Sequence, residues 1–177
     1  MDRTTQTNDS PIRKGDIMAN TALPISPAIH SAALIRRFIT AGKSYFTVAS
    51  IKTGNRFTYR VRKSKDGAIW FVALLTGTEN TSCYSYMGYI NGDGDFRTTK
   101  KSQITETAPS TNAFKWLWNR VTNDNKDLPD GAEFIRSSRC GRCAKVLTTP
   151  ESIIEFGGYG PECVKMLEWT GRAFPAK

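Results

Sequence analysis

Arg56-Phe57-Thr58-Tyr59-Arg60-Val61-Arg62 alternates strictly: Phe57, Tyr59 and Val61 are apolar, and the residues between them are basic or hydroxylated. A period of two puts successive side chains on opposite faces of a β-strand, so one face enters a core and the other carries a row of arginines. Working outward, residues 45–51, 68–75 and 84–90 are also rich in β-branched and aromatic side chains. Turn residues separate the runs: Lys52-Thr53-Gly54-Asn55, Ser64-Lys65-Asp66-Gly67 and the polar loop 77–81. Short turns between consecutive strands dictate antiparallel pairing, a β-meander. Asn91-Gly92-Asp93-Gly94-Asp95 then leads to a short last strand near Phe96. That loop resembles part of a calcium loop but lacks the terminal acidic ligand, and it reads as a turn.

Helical patterns flank the strands. Ser26-Pro27 has the form of a cap followed by proline at the first helical position, and Gly42 closes the segment. Ile29, Ala32, Ala33, Ile35 and Ile39 give this helix an apolar side, with Arg36 and Arg37 turned outward. Pro109-Ser110 starts a second helix, on which Phe114, Leu117, Trp118 and Val121 share one face and seal a side of the sheet. The expected fold is α+β: an antiparallel meander of four to five strands packed by helices, followed by a small zinc-finger-like module. Its parts are a disordered leader (1–22), the α+β domain (23–121), a linker (122–131) and the C-terminal module (132–177). Lys14-Gly15-Asp16 can be encoded by a purine-rich ribosome-binding stretch just upstream of Met18, so the native start is expected at Met18 rather than Met1.

The module carries the most specific chemistry. Residues 133–138 read as a lead-in strand, and Cys140-Gly141-Arg142-Cys143 has the spacing that points two sulfurs at one metal, with Gly141 easing the turn. Thr148-Thr149-Pro150-Glu151-Ser152 is a helix start, after which Ile153, Ile154 and Phe156 pack inward. Pro161 opens a further helix, with Val164, Met166, Leu167 and Trp169 apolar and Gly171 at its end. Cys163 falls in its first turn, where unpaired N–H groups and the helix dipole stabilise a thiolate. Cys140, Cys143 and Cys163 are the expected ligands of a Zn²⁺ ion. Candidates for the fourth are His30, Cys83, Glu133, Glu162 or water. Cys83, inside a strand-like run, otherwise reads as a small buried hydrophobe.

The 177 residues carry a formal net charge of +9, with a sequence pI near 9.6. Such a balance favours a polyanionic partner, DNA or RNA. Arg56, Arg60 and Arg62 form its first surface, extended by Lys63, Lys65, Arg97, Lys100 and Lys101, and by Arg139, Arg142 and Lys145 around the knuckle. Tyr84, Tyr86 and Tyr89 are candidate stacking platforms beside them, although the commoner role for such aromatics, as for Trp70 and Phe71, is the core. A solvated outer sheet face is the simpler account of the same arginines. Neither a signal-peptide pattern nor a membrane-length apolar run is present, so a cytoplasmic protein without membrane contact is expected. In that setting the cysteines favour metal over disulfides.

Cys140-Gly141-Arg142-Cys143, Leu147-Thr148, Pro150-Glu151-Ser152-Ile153 and Gly158-Tyr159-Gly160-Pro161-Glu162-Cys163 together resemble a motif family widespread in bacteriophage and actinobacterial proteins. That family is described by its Cys-x-x-Cys…Gly-x-Gly-Pro-x-Cys signature, is held to bind zinc and has no assigned biochemistry. The resemblance covers about residues 138–168 and implies a phage or prophage origin, a metal and a bacterial host cytoplasm. The family commonly has Gly or another small residue after the second Cys, where this chain has Ala144. Phe156-Gly157-Gly158 also carries one extra residue.

An enzyme is disfavoured. The cysteines lack a His-x-Glu partner or a carboxylate pair, and the chain has no Gly-x-Ser-x-Gly elbow and no phosphate-binding glycine loop. The expected function is a non-enzymatic phage-type accessory protein with structural zinc that contacts nucleic acid. The alternatives are a protein-interaction module, such as an inhibitor or adaptor acting on a host protein, and a zinc-dependent enzyme.

Overall fold

The computed structural model describes residues 28–79, 81–147 and 158–169. Its strands are β1 (Ala28–Ile29), β2 (Lys43–Ser50), β3 (Arg56–Lys63), β4 (Trp70–Leu75), β5 (Tyr84–Ile90), β6 (Phe96–Arg97) and β7 (Ala132–Arg136). The helices are α1 (Ala32–Thr40), α2 (Pro109–Thr122) and α3 (Pro161–Trp169). β2 to β6 form the meander that the turns dictate, and the class is α+β. Among the described residues the sheet has seven strands, in the order β1-β7-β2-β3-β4-β5-β6, not four or five.

Both extra strands join on the β2 side of the meander; one comes from a segment read as helix, and the other from a strand read as the start of a separate module. Ala28 and Ile29, expected inside a helix, pair instead with Ile135 and Phe134. Two residues show no period, so only the partner strand makes them a strand. The helix begins at Ala32, and Ala33 is exposed rather than on its apolar side. Ser26, Pro27, the leader and Met18 lie outside the described residues.

β7, expected to lead into a separate module, inserts between β1 and β2, with Thr47 opposite Ile135 and Val48 opposite Phe134. Residues 122–131, expected as a linker, fasten α1. The Ala32 N–H donates to the Asp127 carboxylate (2.8 Å), and the Leu128 N–H donates to the His30 carbonyl (2.9 Å). Leu128 is itself buried. The expected boundary after residue 131 therefore crosses one sheet and one core.

α1 and α2 lie on the same side of the sheet. α1 buries Ile35, Phe38 and Ile39, and Phe38 meets Phe134 of β7 edge-on at 5.9 Å. α2 buries Phe114, Leu117, Trp118 and Val121, the four residues its period selects, each contributing about 1.5–3 kcal/mol by removal from water. Phe114 packs on Tyr59 of β3 (5.3 Å) and on Phe96 of β6 (4.8 Å). Tyr59, Trp118 and Trp70 have their polar ends satisfied, whereas the buried Tyr159 hydroxyl has no hydrogen-bond partner among the described residues. Tyr59 Oη donates to the Ser110 carbonyl (2.7 Å), Trp118 Nε1 to Gly94 (2.7 Å) and Trp70 Nε1 to Thr40 (2.9 Å). The Asn91–Asp95 loop is a turn: the Asn91 N–H donates to the Asp95 carbonyl and the Asp95 N–H to the Asn91 side chain. No helix of the described residues is long and apolar enough to cross a membrane.

The pairing of β4 with β5 contains a bulge. Ala73 opposes Tyr86 and Val72 opposes Gly88, so Met87 is the extra residue. Gly88 admits β6 beside it, because a Cβ there would run into the Arg97 carbonyl oxygen and the Phe96 ring.

If Asp127 is the cap of α1, Asp127→Ala should lower stability by about 0.5–2 kcal/mol. Asp127→Asn, which keeps an acceptor oxygen, should retain most of it. Chemical denaturation checks both, and an unchanged midpoint for the alanine variant would remove the cap.

Candidate metal centre and open sheet face

Past β7 the chain continues its pairing for one residue, with the Ser137 N–H on the Tyr45 carbonyl (3.0 Å). It then folds into a small hairpin closed by an Arg139–Val146 bridge. Inside it, the Cys140 N–H donates to the Lys145 carbonyl (2.8 Å) and the Ala144 N–H to the Cys140 carbonyl (2.8 Å). Two bonds anchor this knuckle: the Lys43 N–H of β2 donates to the Gly141 carbonyl (2.9 Å), and the Gly141 N–H donates to the Gly158 carbonyl (3.1 Å). Tyr159 packs against Phe38 at 5.9 Å, and α3 then brings Cys163 in its first turn. The sulfurs of Cys140, Cys143 and Cys163 all lie within 4.8 Å of one another.

Three sulfurs so close can hold a metal ion; tetrahedral thiolates at about 2.3 Å from a zinc lie about 3.8 Å apart. Cys140 and Cys163 are buried, and Cys143 is exposed. Burial alone would raise the Cys140 thiol, but the backbone N–H groups of Gly160, Cys143 and Arg142, with the Cys143 side chain, outweigh it and hold it below its ordinary value. Burial pushes the Cys163 thiol up to about 11, against the pull of Arg142, whose Nη1 lies 3.8 Å from the sulfur. N–H groups and a guanidinium converging on sulfur are what a thiolate–metal centre requires.

No fourth His, Cys, Asp or Glu joins this group among the described residues. His30 sits just before α1, Glu133 lies in β7, and Glu162 pairs with Lys165 at 3.3 Å. Cys83 is half-buried in the loop before β5, next to Gly77, and is not the buried strand residue expected. The expected helix start at Thr148–Ser152 and its apolar residues Ile153, Ile154 and Phe156 lie outside the described residues. Ala144 adopts φ 63°. That left-handed conformation disfavours any residue with a Cβ and favours glycine.

The sheet face opposite α1 and α2 is the second candidate. Its side chains form continuous cross-strand rows. One runs Lys43–Arg62–Phe71–Tyr89–Arg97 over five strands, and the next runs Tyr45–Arg60–Ala73–Tyr86. The Met87 bulge keeps Tyr84, Tyr86 and Tyr89 on this one face although their spacing is two and then three. Phe71 is 43% exposed, and its ring lies 6.3 Å from that of Tyr86. Tyr45 and Tyr84 lean together over the intervening strands, with ring centroids 5.7 Å apart, and the Arg60 guanidinium lies 4.6 Å from the Tyr84 centroid. Burial, helped by Tyr45, pushes the Tyr84 phenol up to about 12, while Arg60 and Arg139 oppose the rise.

The expected basic residues divide. Arg56, Arg60, Arg62 and Arg97 lie on the open face; Arg97 has Asp95 at 3.5 Å. Arg139 donates to the Ala144 carbonyl of the knuckle (3.1 Å), within electrostatic reach of the Tyr84 phenol. Lys63 belongs to the other face, its ammonium over Trp70 at 5.2 Å, because it is in phase with Tyr59 and Val61. Lys65 occupies the β3–β4 turn, Lys100 and Lys101 a turn after β6, and Lys145 the knuckle, all exposed. Arg142 is turned to Cys163. Two residues were missed, Lys43 and Phe71. Residues 68–75 are apolar almost throughout, so no alternation reveals that Phe71 points away from Trp70 and Val72.

Comparison with family models, curated proteins and solved structures returned no match, and the phage-type resemblance rests on its cysteine motif. Two substitutions probe the centre. Ala144→Gly should raise thermal stability by up to about 1 kcal/mol, the relief of left-handed strain partly offset by backbone entropy. Cys83→Ser should leave metal content unchanged in elemental analysis; loss of metal would make Cys83 a ligand.

Proposed function

We propose that the protein is a non-enzymatic, zinc-stabilised module that binds nucleic acid through the open face of its sheet. The observation that carries this reading is the row Lys43–Arg62–Phe71–Tyr89–Arg97, in which an exposed ring at mid-sheet is flanked by cations. Phe71 is not a lone surface hydrophobe: the half-buried Leu75, Tyr86 and Tyr89 continue the apolar area around it. Rings carry stacking and cations carry phosphate contact, so the two kinds of side chain on one face suit a polyanion with planar bases.

Zinc is the metal proposed, because thiolates select it over the harder divalent ions. Cys140, Cys143 and Cys163 would hold it. Its contribution is structural, a crosslink between the knuckle and α3 that keeps Arg139 beside Tyr84. The phage-type origin and the bacterial cytoplasm belong to the same proposal and rest on the resemblance of the cysteine motif.

Protein contact has its own supporting observation. A cavity of about 290 Å³ opens between the β2–β3 hairpin and α2, lined by Phe57, Thr53, Asn55, Pro109 and Trp116 among others. Trp116 is exposed on α2.

Elemental analysis of fresh, tag-free protein should find about one zinc per chain, lost in Cys140→Ser and Cys163→Ser; metal-free wild type would remove the zinc. For the surface, Lys43, Arg62 and Arg97 should be changed together to Glu. Arg60 should be spared, because it is half-buried against Tyr84. The variant should melt as the wild type does, yet its affinity for an oligonucleotide should collapse at low salt. Three lost phosphate contacts should also flatten the salt dependence by about two units of slope. Undiminished binding by the folded variant would move the interface elsewhere, and a Trp116→Ala variant losing a captured protein would favour the second reading.

A further inference from the structure

We infer that the open face takes single-stranded rather than double-stranded nucleic acid, with Phe71, Tyr86 and Tyr89 as base-stacking positions; this rests on the nucleic-acid reading above. The argument is the placing of rings relative to charge. Along the first row the cations stand at the flanks, Lys43 and Arg62 on β2 and β3 and Arg97 on β6, while the middle is Phe71 and Tyr89 on β4 and β5. A duplex shows phosphates and groove edges to a flat face and keeps its base planes stacked within. Against such a surface, a mid-sheet ring 43% exposed would meet only polar backbone. Unpaired bases offer their planes, and a strand crossing the sheet can lay bases on the rings while its phosphates reach the flanking cations.

The neighbouring rings divide in the same way. Tyr45 and Tyr84 are packed on each other, with Arg60 on Tyr84; Tyr45 is buried. They wall one end of the surface. Phe71 and Tyr86 stand T-shaped to each other, at an interplanar angle of 64°. Tyr89 lies beyond the Met87 bulge, directly opposite Phe71. Asp95 at the β6 flank is paired with Arg97, and none of the residues in the two cross-strand rows through Phe71, Tyr86 and Tyr89 is acidic.

The test uses the full-length protein and fluorescence anisotropy with randomised-sequence 12-mers, as single-stranded DNA, single-stranded RNA and duplex DNA. At least one single strand should bind about tenfold or more tightly than the duplex, the margin expected when bases rather than backbone are engaged. Phe71→Ala and Tyr89→Ala should each weaken single-strand binding about 5- to 150-fold and leave duplex binding and the melting temperature unchanged. Tyr89→Phe should bind as the wild type, and Phe71→Leu, apolar but ringless, should lose nearly as much as Phe71→Ala. Equal binding to single strand and duplex, or indifference to Phe71→Ala, would overturn the single-strand inference and leave the nucleic-acid reading standing. Binding to none of the three at low salt would overturn both and turn attention to a protein partner.

Discussion

Tyr59 is the point on which the two layers depend. Its ring is fully buried against Phe46 and Phe114, and its hydroxyl donates to the Ser110 carbonyl in the first turn of α2. Burial pushes that phenol well above its usual range, so it stays a neutral donor. A buried hydroxyl without a partner costs about 1–3 kcal/mol, and this one finds its acceptor only if α2 lies across β3 at that height. With Phe38 of α1 against Phe134, both helices are committed to one side. The other side is left to Arg60, Phe71, Tyr86 and Tyr89, and the candidate interface follows from that asymmetry.

The three-cysteine cluster is joined to this arrangement rather than appended to it. β7 runs between β1 and β2, and the knuckle that follows bonds to the first residue of β2 through Lys43 and Gly141. Cys140, Tyr159 and Cys163 belong to the same buried cluster as Phe38, Phe46 and Phe134. Bringing three sulfurs together thus orders the chain beside Lys43 and Arg139, both of which border the open face. The cysteine cluster and the open face share a scaffold, and residues 122–131 serve that scaffold by capping α1 through Asp127.

Much of this was legible from local pattern. The alternation of Phe57, Tyr59 and Val61 with arginines needs only the pleat of a strand, and the Phe114, Leu117, Trp118 and Val121 set needs only the helical period. Cys140-Gly141-Arg142-Cys143 with Cys163 at a helix start needs only the reach of sulfur, and the three sulfurs do converge. The strand and helix patterns repeat within a few residues, so one stretch of chain carries its own evidence, and the cysteines are marked by their residue type.

What only the tertiary structure decided involves partners far apart in sequence. Ala28 and Ile29 are a strand because Ile135 and Phe134 stand opposite them. Tyr86 and Tyr89 share a face because β5 bulges at Met87 against a β4 that does not. Phe71 faces outward because Trp70 and Val72 have already been claimed by the core, a choice its uniformly apolar surroundings leave open. Lys63, by contrast, was readable from the sequence, because the alternation that places Arg62 outward continues past the last apolar residue. A period of two tells which side chains lie together but not which face the helices cover. That is settled only when the whole sheet, bulge and added edge strands included, finds the one packing in which Tyr59, Trp70 and Trp118 all have hydrogen-bond acceptors.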